Sequence, residues 1–92
     1  LHDVVSAVRS EWPSSLPLFV RLSCTDWVEG GWNLDQTISL VNDLVKAKEV
    51  DVIDCSSGGI DPSQKIALGA GYQVPFANAV RQETGILTAA VG

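Results

Sequence analysis

Three apolar, strand-like segments alternate with helical patterns along this chain, and this alternation most constrains how the chain can fold. The strand patterns cover residues 17–23, 50–56 and 86–91, and each follows a stretch with the helical spacing of apolar residues. The predicted order is helix, strand, helix, strand, helix, strand, without a linker or low-complexity tract. Strands that alternate with helices form parallel sheets with right-handed crossovers, so an α/β fold is expected.

Local signals mark the ends of the three predicted helices. Pro13 ends the first helix, and Asn33 caps the second with Gln36 in the capping-box position. Pro75 suits the first turn of the third helix, and Gly85 is its expected C-terminal stop. The stretches 25–32 and 60–74 are rich in glycine and turn-forming residues and are predicted to be loops.

Arg21 lies in the middle of a strand whose other residues suit a buried sheet. Its guanidinium stays charged and is costly to bury, so a ligand or an inward carboxylate such as Asp54 must face it. By strand alternation, one face of the first two strands turns polar towards the strand ends and the other is apolar. That polar face comprises Phe19, Arg21, Ser23, Val52, Asp54 and Ser56. This asymmetry favours a (β/α)₈ barrel over a doubly wound sheet.

Composition excludes several function classes. The formal net charge of the 92 residues is −5, which argues against binding to nucleic acid or to an anionic membrane surface. No apolar run approaches the ~20 residues of a transmembrane helix, and the basic start of a signal peptide is missing. The chain begins within a predicted helix and ends where a strand turns into a loop, so we expect a piece of a longer protein.

The two cysteines, Cys24 and Cys55, lack the spacing of a metal site. Each falls in or beside a predicted strand. We expect buried free thiols of a cytoplasmic protein, although a cysteine pair is the open alternative.

Four motifs in a fixed order give the chain a family resemblance. They are Phe19–Ser23 with Thr25–Trp27, then Val52–Gly59, then Gly71–Phe76, then Thr88–Gly92. This set resembles the old yellow enzyme family of FMN-dependent ene reductases over nearly the whole chain. The resemblance implies a TIM barrel, in which residues 1–92 would run from the fourth helix to the seventh strand. They would form part of a single FMN-binding domain, truncated at both ends.

The implied parent protein is an FMN-dependent NAD(P)H oxidoreductase that reduces the C=C bond of α,β-unsaturated carbonyl compounds. NAD(P)H would be the reductant, and the family's catalytic residues would lie outside this chain. Two alternatives stay open. The chain could belong to a flavin-independent barrel enzyme that acts on a phosphorylated substrate, or it could be a non-catalytic fragment. The parent could be a homo-oligomer.

The resemblance assigns cofactor roles to three residues and no metal site. Arg21 would reach the N1/O2 side of the flavin ring, where a fixed cation stabilises negative charge. Ser56 would lie near the ribityl phosphate, and the backbone N–H of Gly92 would approach the phosphate because no Cβ intervenes. An ordinary strand-to-helix turn is the alternative interpretation of the segment that begins at Ser56. The chain departs from the family pattern at Glu49 and Ala89, where glycine is common.

Four weaker candidates have simpler structural interpretations. Asp54 could act as an acid or base, but a structural carboxylate beside Arg21 is favoured. Trp27 and Trp32 flank a glycine turn and are expected to anchor this loop rather than to line a substrate pocket. Tyr72 is expected to pack rather than to donate protons.

Overall fold

The predicted alternation of helices and strands is confirmed by a computed structural model that describes residues 1–92. The elements, in chain order, are α1 (His2–Glu11), β1 (Phe19–Ser23), α2 (Leu34–Ala47), β2 (Val52–Ser56), α3 (Val74–Thr84) and β3 (Leu87–Ala90). Each strand is two residues shorter than its predicted range. No helix combines the length and the apolar character needed to cross a bilayer.

The three strands form one parallel sheet in the order β1-β2-β3. Arg21 lies opposite Asp54, and Asp54 lies opposite Ala89, so these three residues form one row across the sheet. Sequential neighbours in a parallel sheet need a crossover between each pair of strands, and α2 and α3 provide these crossovers. The predicted parallel α/β architecture is therefore confirmed.

The two faces of the sheet differ in their cover. Ile53 and Cys55 of β2 are fully buried in a core that also contains Val41 of α2 and Val80 of α3. Strand alternation places the opposite side chains on the other face, where Phe19 is 58% and Leu87 is 55% exposed. Helices thus cover one face, and the face that carries Arg21 is open.

The sequence signals at the helix ends act as predicted. The backbone N–H of Gln36 donates to Asn33 Oδ1 at 3.0 Å, and Asn33 N–H donates to Gln36 Oε1 at 3.1 Å, which completes the capping box. Gly85 ends α3 in the left-handed conformation with φ 78°. At the end of α2 the left-handed residue is Lys48, with φ 56°, rather than Glu49, where the family commonly has glycine.

Arg9 fastens α1 to the N-terminal end of the sheet. Its Nε donates to the Glu49 carbonyl at 2.9 Å, its Nη1 to the Leu16 carbonyl at 3.2 Å, and its Nη2 to Asp51 Oδ2 at 2.8 Å. The same Asp51 oxygen accepts the Leu18 N–H at 2.7 Å. The hydrogen bond from Leu18, followed by that from Arg9, lowers the pKa of Asp51 below its ordinary value.

Cys24 and Cys55 are both free and fully buried, as predicted. The Cys24 Sγ donates to the Leu22 carbonyl at 3.9 Å. The neighbouring Cys55 side chain and burial raise the pKa of the Cys24 thiol far above its usual range, so this thiol stays protonated in the folded chain.

Candidate functional site

Arg21 forms an ion pair with Asp54 on the open face of the sheet. Its Nε and Nη2 lie 2.8 and 2.7 Å from Asp54 Oδ2, across the register pair that brings the two residues opposite each other. The Arg21 side chain is 61% exposed, and its Nη1 makes no hydrogen bond within the chain. The carboxylate partner considered from the sequence is therefore present, and it leaves one donor edge of the guanidinium free.

Exposure limits what this ion pair contributes to folding. Ion pairs in contact with water are worth about 0–1 kcal/mol, because solvent screens them and side-chain entropy opposes them. Asp54 also fixes the plane of the guanidinium, since two nitrogens contact one oxygen. The pair therefore does more to orient the Arg21 cation than to stabilise this segment.

Ser56 is the last residue of β2, and strand alternation places its side chain on the face that carries Asp54. Its carbonyl accepts the Cys24 N–H at 2.8 Å, which ties it to the end of the neighbouring strand. The Ser56 hydroxyl makes no hydrogen bond within the chain and is available to an outside partner.

Gly92 follows the end of β3 in a left-handed conformation, with φ 96°. A Cβ built at this position would lie only 2.8 Å from Tyr72 Cε1, so a larger residue would clash there as well as be strained. Tyr72 thus packs against the backbone at this point, in line with the packing role expected of it. The Gly92 N–H donates no hydrogen bond within the chain.

The structure places Ser56 and Gly92 at the C-terminal end of the sheet and Arg21 at the middle of β1. Ser56 ends its strand and Gly92 lies just beyond its own, whereas Arg21 occupies the third of the five positions of β1. All three present hydrogen-bond donors without partners, and one of them is a cation. Such a donor set suits an acceptor-rich, anionic ligand. No group of three or more His, Cys, Asp or Glu side chains is placed to hold a metal ion.

The two tryptophans make the contacts of loop anchors. Trp32 Nε1 donates to Thr37 Oγ1 at 2.7 Å, and Thr37 Oγ1 donates to the Cys24 carbonyl at 2.9 Å. The Trp27 ring meets Phe76 edge to face, with ring centroids 5.6 Å apart. Together they hold the loop after β1 against the starts of α2 and α3.

Gln73 is a buried polar residue that sequence reasoning missed. It is 2% exposed; its Oε1 accepts from Ser57 Oγ at 2.6 Å, and its Nε2 donates to the Val91 carbonyl. Its place in the motif Gly71–Phe76, directly before a helix start, was the available signal. Burial could not be inferred from that place, because glutamine is usually exposed.

Comparison with known proteins finds relatives that are named as nicotinamide and flavin oxidoreductases. No protein-family model matches the chain. It is 42% identical over 92 residues to proteins named NADPH dehydrogenase from Halalkalibacterium halodurans and Geobacillus thermodenitrificans, covering 100% of the chain and 26% of each relative. It is 38% identical over 104 residues to an NADH:flavin oxidoreductase from Gibberella zeae, covering 98% of the chain and 25% of that protein.

The chain therefore spans about a quarter of the length of the curated relatives that it matches. Its relatives carry the names of oxidoreductases, and the similarity to them runs along the whole chain. The resemblance to the old yellow enzyme family is confirmed by this similarity.

Proposed function

We propose that the full-length protein containing this segment is an FMN-dependent NAD(P)H oxidoreductase that reduces the C=C bond of α,β-unsaturated carbonyl compounds. The observation that carries this proposal is the identity of 38–42%, along essentially the whole chain, with proteins named NADPH dehydrogenase and NADH:flavin oxidoreductase. These names support a nicotinamide reductant and a flavin. FMN and the unsaturated carbonyl substrate are the more specific part of the proposal, and the four sequence motifs support them.

In this proposal the three free donors of the segment hold the cofactor. Arg21 would face the N1/O2 side of the ring, Ser56 would lie near the ribityl phosphate, and Gly92 would offer its N–H to the phosphate. Bound FMN supplies hydride transfer from the nicotinamide to the substrate. The Arg21 cation stabilises negative charge on the ring, while Asp54 keeps its guanidinium in one orientation.

The fold proposed for the parent is a TIM barrel, of which this segment is the arc from the fourth helix to the seventh strand. The sequential strand order and the single helix-covered face support an arc of this kind. In a barrel, the open face would pack against side chains from the other strands. Phe19 and Leu87, which are more than half exposed here, would then be buried.

The barrel is tested by a pair of substitutions in the full-length protein. Ile53→Ala, on the covered face, should lower the free energy of unfolding by about 2–4 kcal/mol, because it leaves a cavity. We expect a similar loss for Leu87→Ala, measured by denaturant unfolding, since a barrel buries this side chain. A loss below about 0.5 kcal/mol for Leu87→Ala would mean that the face remains in water, contrary to a barrel.

The activity is tested on the purified full-length protein. The flavin released by heat should be FMN, at one per chain, and NADPH oxidation should accelerate when an unsaturated ketone such as 2-cyclohexenone is added. A colourless protein that gains no flavin on incubation with FMN would contradict the proposal. That result would favour the flavin-independent barrel that acts on a phosphorylated substrate.

A further inference from the structure

The Gln73 side chain links the chain segments that follow β2 and β3, beyond the last paired residues of the two strands. The paired register of β2 and β3 finishes at Cys55 and Ala90. Beyond it, Ser57 donates to Gln73 Oε1, and Gln73 Nε2 donates to the Val91 carbonyl. The side chain therefore replaces the backbone ladder as the link between the two chain segments that leave the sheet.

The hydrogen bonds assign the orientation of the Gln73 amide. The Val91 carbonyl can only accept, so the NH₂ group must face it, which leaves the amide oxygen for the Ser57 hydroxyl. At 2% exposure, an unsatisfied amide would carry a substantial desolvation penalty. Both partners are therefore needed to keep this side chain in place.

The Val91 carbonyl and the Gly92 N–H belong to one peptide group. In a planar trans peptide the C=O and N–H bonds point in opposite directions. Because Gln73 holds the carbonyl, the Gly92 N–H is directed away from Gln73. The Tyr72 ring occupies the space that a Cβ at Gly92 would need, so this peptide lies beside that ring.

We propose that Gln73 is a positioning residue for the phosphate-binding end of the cofactor site. It does not touch the cofactor. It fixes the Val91–Gly92 peptide relative to the end of β2, so that the Gly92 N–H and the Ser56 hydroxyl meet the phosphate together. This inference rests on the proposed function, because it requires that Ser56 and Gly92 bind FMN.

The test compares FMN with riboflavin, which has the same ring but no phosphate. Apoprotein of the full-length chain is titrated with each flavin, and quenching of flavin fluorescence gives the two values of Kd. Gln73→Met keeps the length and neutrality of the side chain but removes both hydrogen bonds. We expect it to weaken FMN binding ~10-fold or more and to leave riboflavin binding within about 2-fold.

Gln82→Met is the matched control, since Gln82 is an exposed residue of the helix that follows Gln73, and its side chain bonds only Asn78. It should change neither Kd. If Gln73→Met weakens FMN and riboflavin equally, or weakens neither, the positioning role is wrong. If the unmodified protein itself binds FMN no better than riboflavin, the phosphate site of the proposed function is wrong instead.

Should Gln73→Met not yield folded protein, Ser57→Ala gives the answer. This substitution removes only the hydrogen bond from Ser57 Oγ to Gln73 Oε1. It deletes a single oxygen atom from a half-buried side chain. FMN binding should then weaken about 3-fold, with riboflavin binding unchanged. An unchanged preference for FMN in this variant would overturn the inference.

Discussion

The two ends of the sheet use their polar groups differently. At the N-terminal end, Arg9 and Asp51 are satisfied by bonds within the chain, and these bonds dock α1 against the start of the strands. At the C-terminal end, the Ser56 hydroxyl and the Gly92 N–H have no partner in the chain. In α/β enzymes the end beyond the carboxyl termini of the strands carries function, and the opposite end carries stability. The distribution of hydrogen bonds in this segment follows the same division.

Arg21 lies between these ends and shares features of both. It is ion-paired, like Arg9, but it is far more exposed: 61% of its side chain is accessible against 17% for Arg9. All three guanidinium nitrogens of Arg9 donate hydrogen bonds within the chain, whereas Arg21 Nη1 donates none. The contrast predicts that the loss of Arg9 should damage folding, while the loss of Arg21 should damage binding.

The largest expected effect comes from expressing the 92 residues alone. We predict that they bind no FMN, show no ene-reductase activity and form a partly folded or self-associating species. One face of the parallel sheet is uncovered, and both edge strands expose backbone groups. Circular dichroism, sedimentation and flavin titration measure these properties. A monomer with a cooperative thermal transition and stoichiometric FMN would show that the C-terminal end functions without the rest of the protein.

The two arginines provide the next test, in the full-length protein. Arg21→Ala should weaken FMN binding or slow flavin reduction about 10- to 100-fold, because a charge-assisted contact is lost. Arg21→Lys should restore only part of this, since an ammonium cannot reproduce the planar fork. Flavin titration and stopped-flow reduction measure both variants.

Arg9→Ala is the matched control at the other end of the sheet. It should lower the free energy of unfolding by about 1–3 kcal/mol and leave the Kd for FMN unchanged. If Arg21→Ala instead alters stability alone, with normal flavin content and reduction kinetics, Arg21 is structural and the two ends do not differ as described.

The smallest expected effect is a pH dependence at Asp51. Its pKa is lowered in the folded chain, so its carboxylate stabilises the fold above the ordinary carboxyl pKa of 3.8. That stabilisation is lost as the pH falls from this value through the lower folded pKa. Asp51→Asn should therefore be less stable than the unmodified protein near neutral pH, and the gap should narrow below about pH 4. A gap that stays constant from pH 7 to pH 3 would contradict this role.

Local signals explain why much of the fold could be predicted from the sequence. The Asn33–Gln36 capping box, Pro75 and Gly85 each act within a few residues, so their effect is readable without tertiary structure. The parallel pairing followed from the alternation of elements. Arg21, Ser56 and Gly92 were proposed through the family motifs, and the structure adds that their donors are free.

The features that escaped prediction depend on distant contacts. Arg9 reaches Asp51 across 42 positions in the chain, and Gln73 reaches Val91 across 18. Neither pair is marked by a periodic pattern or a turn signal. Lys48 illustrates another limit, because the exact end of α2 decides which residue adopts the left-handed conformation.

The buried free thiols of Cys24 and Cys55 can report when β1 and β2 separate. Both are fully buried, so alkylating reagents cannot reach them while β1 and β2 stay joined. Their labelling by such a reagent would measure how often this part of the protein opens. In the full-length protein, the labelling rate would be compared with and without flavin. A lower rate with flavin would show that cofactor binding at the C-terminal end of the sheet slows the local opening of β1 and β2.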